Sequence, residues 1–295
     1  MQPHQLEYFV AVAETGSFTA GADRVGVVQS AVSAAIKQLE RGLGAPLIER
    51  GYHRLALTAE GEALLPRARD VLAGIEAARE AVAGARGQVV GTVLFGTLSY
   101  TGRWDIAEVL QGFAARHPGI TVRLRQTIAG SATSEADVRS GALDLALVST
   151  AADSLPGLTL TRIHGDELVF ICAPGHRLAR AAAVSAADLA GEIWVDFPTG
   201  WGNRTVVDTA FAAAGVSRTV RTEVTNFELA RNLVCRGLGV AVVPRALIEG
   251  DPGVIAVPIG LEWSFQLAVA SNRRISAAAA AAAAGPSPAP RAARC

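Results

Sequence analysis

The sequence predicts two architectures in one chain: an N-terminal all-α winged helix-turn-helix continued by a long linker helix, and a C-terminal α/β domain of two lobes. Three observations carry this reading. The first 58 residues hold short amphipathic segments divided at Gly16 and Gly26. Residues 59–87 then run without a break in an apolar pattern of alternating three- and four-residue steps. From Val89 onward, short β-rich runs alternate with helical stretches. At 295 residues, 50% hydrophobic and 18% charged, the chain exceeds the usual single-domain size and has ample material for buried cores.

Pro3 suits the first turn of a helix, and Leu6, Phe9, Val10 and Ala13 line one of its faces. Gly16 stops that helix and Ser17 is a good cap for the next. Ala22 is small where two helices must approach. Gly26 stands where the chain must turn with positive φ, and Val27, Val32 and Ile36 can anchor a following helix on the first two. This tight helix-turn-helix leaves Gln29, Ser30, Ser33 and Lys37 on a face without a core. Short donors and acceptors with a cation one turn on suit base edges and phosphates of double-stranded DNA. Such a face alone also fits the solvated side of a three-helix bundle; the turn pattern tips the reading to DNA. Leu47–Glu49 and Arg54–Thr58 flank a glycine-containing turn and read as a β-hairpin wing, with Arg50 and Arg54 near its tip. Bulk electrostatics lend no help. The net charge is zero, and in the first 58 residues Arg24, Lys37, Arg41, Arg50 and Arg54 are matched by Glu7, Glu14, Asp23, Glu40 and Glu49.

Thr58 caps the linker helix, and Leu64, Ala68, Val71, Ile75, Ala78, Val82 and Ala85 form its seam, widened by Leu65 and Leu72. A long helix between two domains favours pairing with a second copy over burial against its own core. Such a homodimer predicts an inverted-repeat DNA site.

The β-rich region, 88–275, divides into two sets of strands and helices, giving lobe 1 at about 88–162 and 267–275 and lobe 2 at about 163–266. Strands are expected near 93–95, 120–124, 143–148, 168–172, 193–197, 220–225, 240–243 and 264–270, in a mostly parallel sheet, with lobe crossings near Ile163 and Gln266. Ligands of open α/β sheets sit beyond the carboxyl ends of strands, beside helix N-termini. The loops there offer Ser99, Tyr100 and Thr101, then Thr127 and Ser131, Ser149 and Thr150, Thr199 to Trp201 with Asn203, and Asn226. Hydroxyls, amides and an aromatic suit a small polar or carboxylated effector rather than covalent chemistry.

The stretches LEYFVAVAETGSFTAGA, VVQSAVSAAIKQLE, LGAPLIER and LTAEG resemble the LysR-type transcriptional regulator family, and the resemblance extends to about residue 275. It implies a periplasmic-binding-protein-like effector domain, a linker helix serving dimers and tetramers, and bacterial transcription control. It assigns Gln29, Ser30, Ser33 and Lys37 to the major groove and Arg50 and Arg54 to the wing. In the effector domain it points to Ser99, Thr127 and the segment from Phe197 to Trp201. Two departures stand out. Many members carry Arg and Gln where this chain has Ala34 and Ala35, which implies readout with fewer side chains. Members also end in an amphipathic helix with Leu or Phe anchors, whereas residues 276–295 here are an Ala/Pro-rich tail expected to be disordered.

Other function classes find little support. Cys172, Cys235 and Cys295 are far apart and read as free thiols of a reducing, cytoplasmic environment. Five scattered histidines, no G-x-S-x-G and no H-E-x-x-H leave no catalytic residue, metal site or cofactor to nominate, and Gly237-Leu238-Gly239 precedes a strand rather than a helix. The start lacks a secretion-signal pattern, and the alanines of 277–284 are too few to cross a bilayer, so no membrane role is expected. The competing reading is a small-molecule-binding or catalytic protein of two-lobed α/β fold, whose helical head would not bind DNA.

Overall fold

The computed structural model describes residues 1–49, 55–86, 88–102, 104–127, 130–150, 152, 154–271 and 275–284; Arg50 and Arg54 of the expected wing tip lie outside them. The chain divides into two compact units, Met1–Gly91 with Ser140–Ala142, and Thr92–Arg139 with Leu143–Cys295.

The first unit opens with α1 (Pro3–Thr15), α2 (Phe18–Val25) and α3 (Gln29–Leu43). β1 (Ile48–Glu49) and β2 (Ala56–Leu57) follow as an antiparallel pair, then α4 (Ala59–Gly84). Gly16 and Gly26 end α1 and α2 at φ of 65° and 72°, left-handed positions that glycine occupies without strain. Ser17 caps α2 by accepting the Ala20 N–H at 3.4 Å. Leu6, Phe9, Val12, Val32, Ile36 and Leu39 form the core that holds α3 against α1. At the start of α4, Thr58 accepts the Gly61 N–H at 3.0 Å and donates to the Pro46 carbonyl at 2.7 Å. Gly61 lies so close to the wing that a Cβ there would stand 2.1 Å from the Leu47 carbonyl oxygen.

The α4 seam splits in two. Leu64, Leu65, Ala68 and Leu72 pack on the core of their own unit. Val71, Ala78 and Val82 are exposed. The apolar surface left for another helix is therefore the second half of the expected seam.

The second unit contains β3 (Gly91–Thr97), α5 (Ile106–Arg116), β4 (Ile120–Gln126), α6 (Ser131–Ser140), β5 (Leu145–Ser149) and β6 (Leu158–Cys172). It continues with β7 (Ile193–Asp196), α7 (Gly202–Ala213), β8 (Thr219–Glu223), α8 (Phe227–Cys235), β9 (Ala241–Pro244), β10 (Ile255–Ala270) and α9 (Ala277–Ala283). Six strands form one sheet in the order β4-β3-β5-β10-β6-β9. It is mixed rather than mostly parallel: β3 and β5 run parallel, but β10 is antiparallel to both β5 and β6, and β6 to β9.

The mixture arises because β6 and β10 are 15 and 16 residues long and serve both lobes. Their apolar ends, Leu168–Cys172 and Ser264–Ala270, read as strands in the sequence. The remaining stretch of β6 includes Thr159, Arg162, His164 and Glu167, which conceal its extended conformation. Phe265 pairs with His164 and Gln266 with Arg162, so Ile163 is the extra residue of a bulge at the expected crossing. β7 and β8 form a parallel pair, joined to the chain ahead of β9 by Val195 N–H to Val240 O at 2.9 Å and Val240 N–H to Ile193 O at 2.8 Å.

The alanine half of the expected disordered tail is instead the helix α9. Ser276 caps it by accepting the Ala279 N–H at 3.0 Å, and Ala278 and Ala279 are fully buried in the core of the second unit. Alanine has the strongest helix propensity, and methyl groups allow a close approach to the sheet.

Candidate DNA-reading face and effector pocket

In the first unit, α3 buries Val32, Ala35, Ile36 and Leu39 and turns the opposite side outward. Gln29, Ser30 and Lys37 are exposed and Ser33 is half-buried. The N-terminal residue before α3, Val28, supplies no side-chain cap, so the positive end of the helix is open to an anion. Lys37 has no carboxylate partner among the described residues. Arg24, by contrast, pairs with Glu14 at 2.6 Å. Glu40, on the same helix, accepts the Leu47 N–H at 2.9 Å and fixes the start of the wing. Ala34 is exposed but Ala35 belongs to the buried side. Of the two alanines, only Ala34 lies on the outward side where base readout was expected.

In the second unit, the carboxyl ends of β3, β4 and β5 converge on the start of α7 around a narrow cleft that opens to solvent. Ser99, Tyr100, Thr127, Ser149 and Trp201 of the expected set line it, together with Ser131 and Asn203. Glycine makes this convergence possible. A Cβ on Gly202 would stand 2.1 Å from Ser149 Oγ and 2.2 Å from its carbonyl oxygen, and one on Gly130 would stand 2.6 Å from the Gly200 carbonyl oxygen. Ser131 Oγ accepts the Ser149 N–H at 2.8 Å, fixing the end of β5. Ser149 Oγ and Asn203 Oδ1 are buried and have no hydrogen-bond partner among the described residues. Trp201 precedes α7 without capping it by a side chain, so the first N–H groups of that helix are aimed at the same place. The lining contains no formally charged side chain.

Thr101, Thr150, Thr199 and Gly200 of the expected loops are not in the lining, and Phe197 and Asn226 have other tasks. Phe197 is fully buried behind the wall, stacked on Trp201 with ring centroids 5.7 Å apart. Asn226 spends its side-chain oxygen on the Leu229 N–H at 3.0 Å as the cap of α8, which brings Phe227 rather than Asn226 into the lining. Phe227 and Trp263 had no hydroxyl or amide to advertise them, and Trp263 lies in the concealed portion of β10. Tyr100 stacks on Trp263 at 5.7 Å and donates its hydroxyl to Asp166 at 2.8 Å.

The loop from Phe197 to Asn203 is braced from behind. Arg204 donates to the Phe197 carbonyl at 2.9 Å and to Asp208 at 2.7 Å, while Arg218 pairs with Asp196 and Asp208 and lies over the Trp194 ring. Burial pushes the Asp196 carboxyl above its ordinary range, against the opposing pull of Arg218, the Phe197 N–H and Arg204. Cys172 is fully buried in β6, where desolvation and the nearby Glu192 push its thiol up to about 11. Cys235 is exposed, and neither thiol lines the pocket. Among the described residues no group of His, Cys, Asp and Glu could hold a metal ion, and no helix is long and apolar enough to cross a membrane.

Comparison with known proteins agrees with both halves. The model of the bacterial regulatory helix-turn-helix protein, lysR family, matches residues 3–62, and that of the LysR substrate binding domain matches 86–284. A probable hydrogen peroxide-inducible genes activator of Mycobacterium avium is 32% identical over 244 residues, covering 82% of this chain and 78% of the relative. Among solved structures, a full-length OxyR variant from Pseudomonas aeruginosa superposes with a TM-score of 0.72 at 20% identity, covering 100% of this chain and 98% of that one. Full-length CbnR complexed with its target DNA gives 0.61 at 23% identity, covering 96% and 98%. With its helix-turn-helix and its substrate-binding domain both matched, the chain belongs to the LysR family of bacterial regulatory proteins.

Proposed function

We propose that this protein is a cytoplasmic, non-enzymatic transcription regulator that binds an inverted-repeat promoter site as a homo-oligomer and responds to a small polar or carboxylated effector. The observation that carries the effector class is the pocket at the start of α7. Ser149 Oγ and Asn203 Oδ1 are buried there without partners, beside an uncapped helix N-terminus and with no charged lining. Such a site holds an anion through aligned N–H and O–H donors rather than through an ion pair. Gln29, Ser30, Ser33 and Lys37 read the major groove, with Arg50 and Arg54 on the flanking backbone. Val71, Ala78 and Val82 of α4 contribute to pairing with a second copy. In this reading 1–58 binds DNA, 59–87 links and dimerises, and the lobes of 88–275 meet around the effector.

The description of the mycobacterial relative suggests a peroxide signal. Oxidation of Cys172 fits this signal poorly, because its buried thiol, pushed up to about 11, is almost wholly protonated at neutral pH and a weak nucleophile, and the exposed Cys235 lies outside the pocket lining. A reversibly bound ligand in the polar pocket fits better. The competing reading, a two-lobed binder or enzyme with an idle head, leaves the exposed polar side of α3 without a purpose.

Footprinting the purified protein on the promoter region upstream of its own gene, with and without candidate small carboxylates, tests the proposal. A symmetric protected site that changes with one of the compounds is expected, with Ser99→Ala and Thr127→Ala retaining DNA affinity but blunting the change. No preference for promoter over random competitor at low ionic strength overturns the regulator. Unaltered dose-response curves in both variants overturn the pocket.

A further inference from the structure

We propose that Val28 and Ala34 read thymine, each placing an aliphatic side chain against a C5-methyl group in the major groove. The inference rests on α3 being the DNA-reading helix and adds the base that it selects.

Val28 is the residue ahead of α3 and is 69% exposed, although its neighbour Val27 packs on the core of the first unit. Backbone bonds hold the pair in this arrangement. The Val27 N–H donates to the Ala22 carbonyl at 3.1 Å, and the Val28 carbonyl accepts the Ala31 N–H at 3.0 Å and the Val32 N–H at 3.4 Å. The Val28 side chain therefore cannot turn inward without unwinding the first turn of α3. A single exposed valine needs no explanation by itself. This one occupies the position where Ser, Thr, Asp or Asn would cap the helix, and it supplies no side-chain cap. Folding alone would favour a hydroxyl here. Contact with something outside the chain gives valine a reason.

Ala34 is exposed one turn beyond Ser30 and one turn before Lys37, so its methyl stands among the polar groups of the outward side. The second helix of a helix-turn-helix enters the major groove with its N-terminal residues against base edges. Neither Val28 nor Ala34 has a side-chain donor or acceptor to offer there. Over guanine or adenine, an aliphatic group would strip water from N7 and return no hydrogen bond. Over thymine it covers a methyl and removes apolar surface from water. The two positions are about 9 Å apart along the helix axis, against about 3.4 Å per base-pair step. The thymines they select should therefore lie about two or three base pairs apart in each half of the DNA site.

Selection of binding sequences from a random DNA library with the full chain supplies the operator, and deoxyuridine in place of each thymidine then removes one methyl at a time. Gel-shift titration should show two positions in each half-site at which uracil lowers affinity about fourfold, the worth of one buried methyl. Val28→Ser should abolish the response at one of them and raise the melting temperature by supplying the missing cap. Ala34→Gly should abolish the response at the other. The uracil series leaves the protein itself unaltered, so it tests the contacts even where a variant does not fold. An operator indifferent to every uracil overturns the thymine contacts and leaves α3 as the DNA-reading helix. Responses that persist unchanged in both variants assign the methyls to other side chains and overturn the proposal. Enrichment of no sequence overturns the DNA-reading role of α3 as well.

Discussion

Ser33 and Lys37 lie one turn apart on the outward side of α3, yet their loss should be felt differently by DNA. Ser33 is half-buried and short, so it can reach only what lies directly against the helix. Ser33→Ala is expected to cost about 1 kcal/mol of operator binding, the scale of one hydrogen bond, and to relax discrimination at one base position. Lys37 is an exposed cation with a flexible stem, so Lys37→Gln should weaken all sequences alike and flatten the salt dependence by about one unit of slope. Gel-shift titrations over a salt series and a set of single-base operator variants separate the two; normal affinity in both variants contradicts the assignment. The cysteines allow a second residue-level test. Cys172 is fully buried with its thiol pushed up to about 11, whereas Cys235 is exposed at the end of α8. Iodoacetamide at pH 8 should therefore modify Cys235 in the native protein and reach Cys172 only after denaturation. Peptide mass spectrometry reads this directly, and equal labelling of the two thiols would restore oxidation of Cys172 as a candidate signal.

At the scale of elements, two glycines in the helix-turn-helix make opposite predictions for one chemical change. A Cβ on Gly26 or on Gly42 would meet nothing within 4 Å, so sterics do not distinguish them. Gly26 ends α2 at φ 72°, where an L-residue costs about 1–2 kcal/mol, and Gly26→Ala should destabilise the protein by that amount. Gly42 is inside α3 and exposed, so Gly42→Ala should stabilise it by about 0.5–1 kcal/mol. Urea denaturation of both variants measures the signs; a destabilising Gly42→Ala would mean that the end of α3 is not helical in solution. The same contrast explains what the sequence disclosed. Gly16, Gly26, Ser17 and Thr58 act on their own neighbours, so helix boundaries could be read locally. The polar middles of β6 and β10 are extended only because they pair with each other over long sequence separation, and nothing in their side chains says so. Asn226 shows the same limit on the pocket: its amide reads equally as ligand donor and helix cap, and only the fold shows it spent on the Leu229 N–H. Ser99, Thr127 and Ser149 were legible because strand ends in an α/β sheet have one functional direction.

At the scale of the whole molecule, regulation requires that effector and operator each favour the same subset of conformations. A ligand that binds two states equally shifts nothing, however tightly it binds. The second unit has a feature suited to two states: β6 and β10 pair along most of their length, with register shifts at Phe265/Gln266, beside the expected lobe crossing, and at Pro258/Leu261. A bulge disrupts the ladder locally and leaves the sheet on either side intact, so a change of lobe angle on effector binding would be expected to fall there. An effector bridging Ser99 and Thr127 on one side and the start of α7 on the other would favour one angle. Coupling free energies of this kind are about 1–3 kcal/mol, and they are reciprocal. Operator DNA should therefore change effector affinity by about 5- to 150-fold, and effector should change operator affinity by the same factor. Calorimetric titration of effector into free protein and into the protein–operator complex, paired with operator titrations at zero and saturating effector, closes the thermodynamic cycle. Equal effector affinities in the two titrations would show that the pocket and the DNA-reading face are uncoupled, leaving the α/β unit as a binder with no route to transcription.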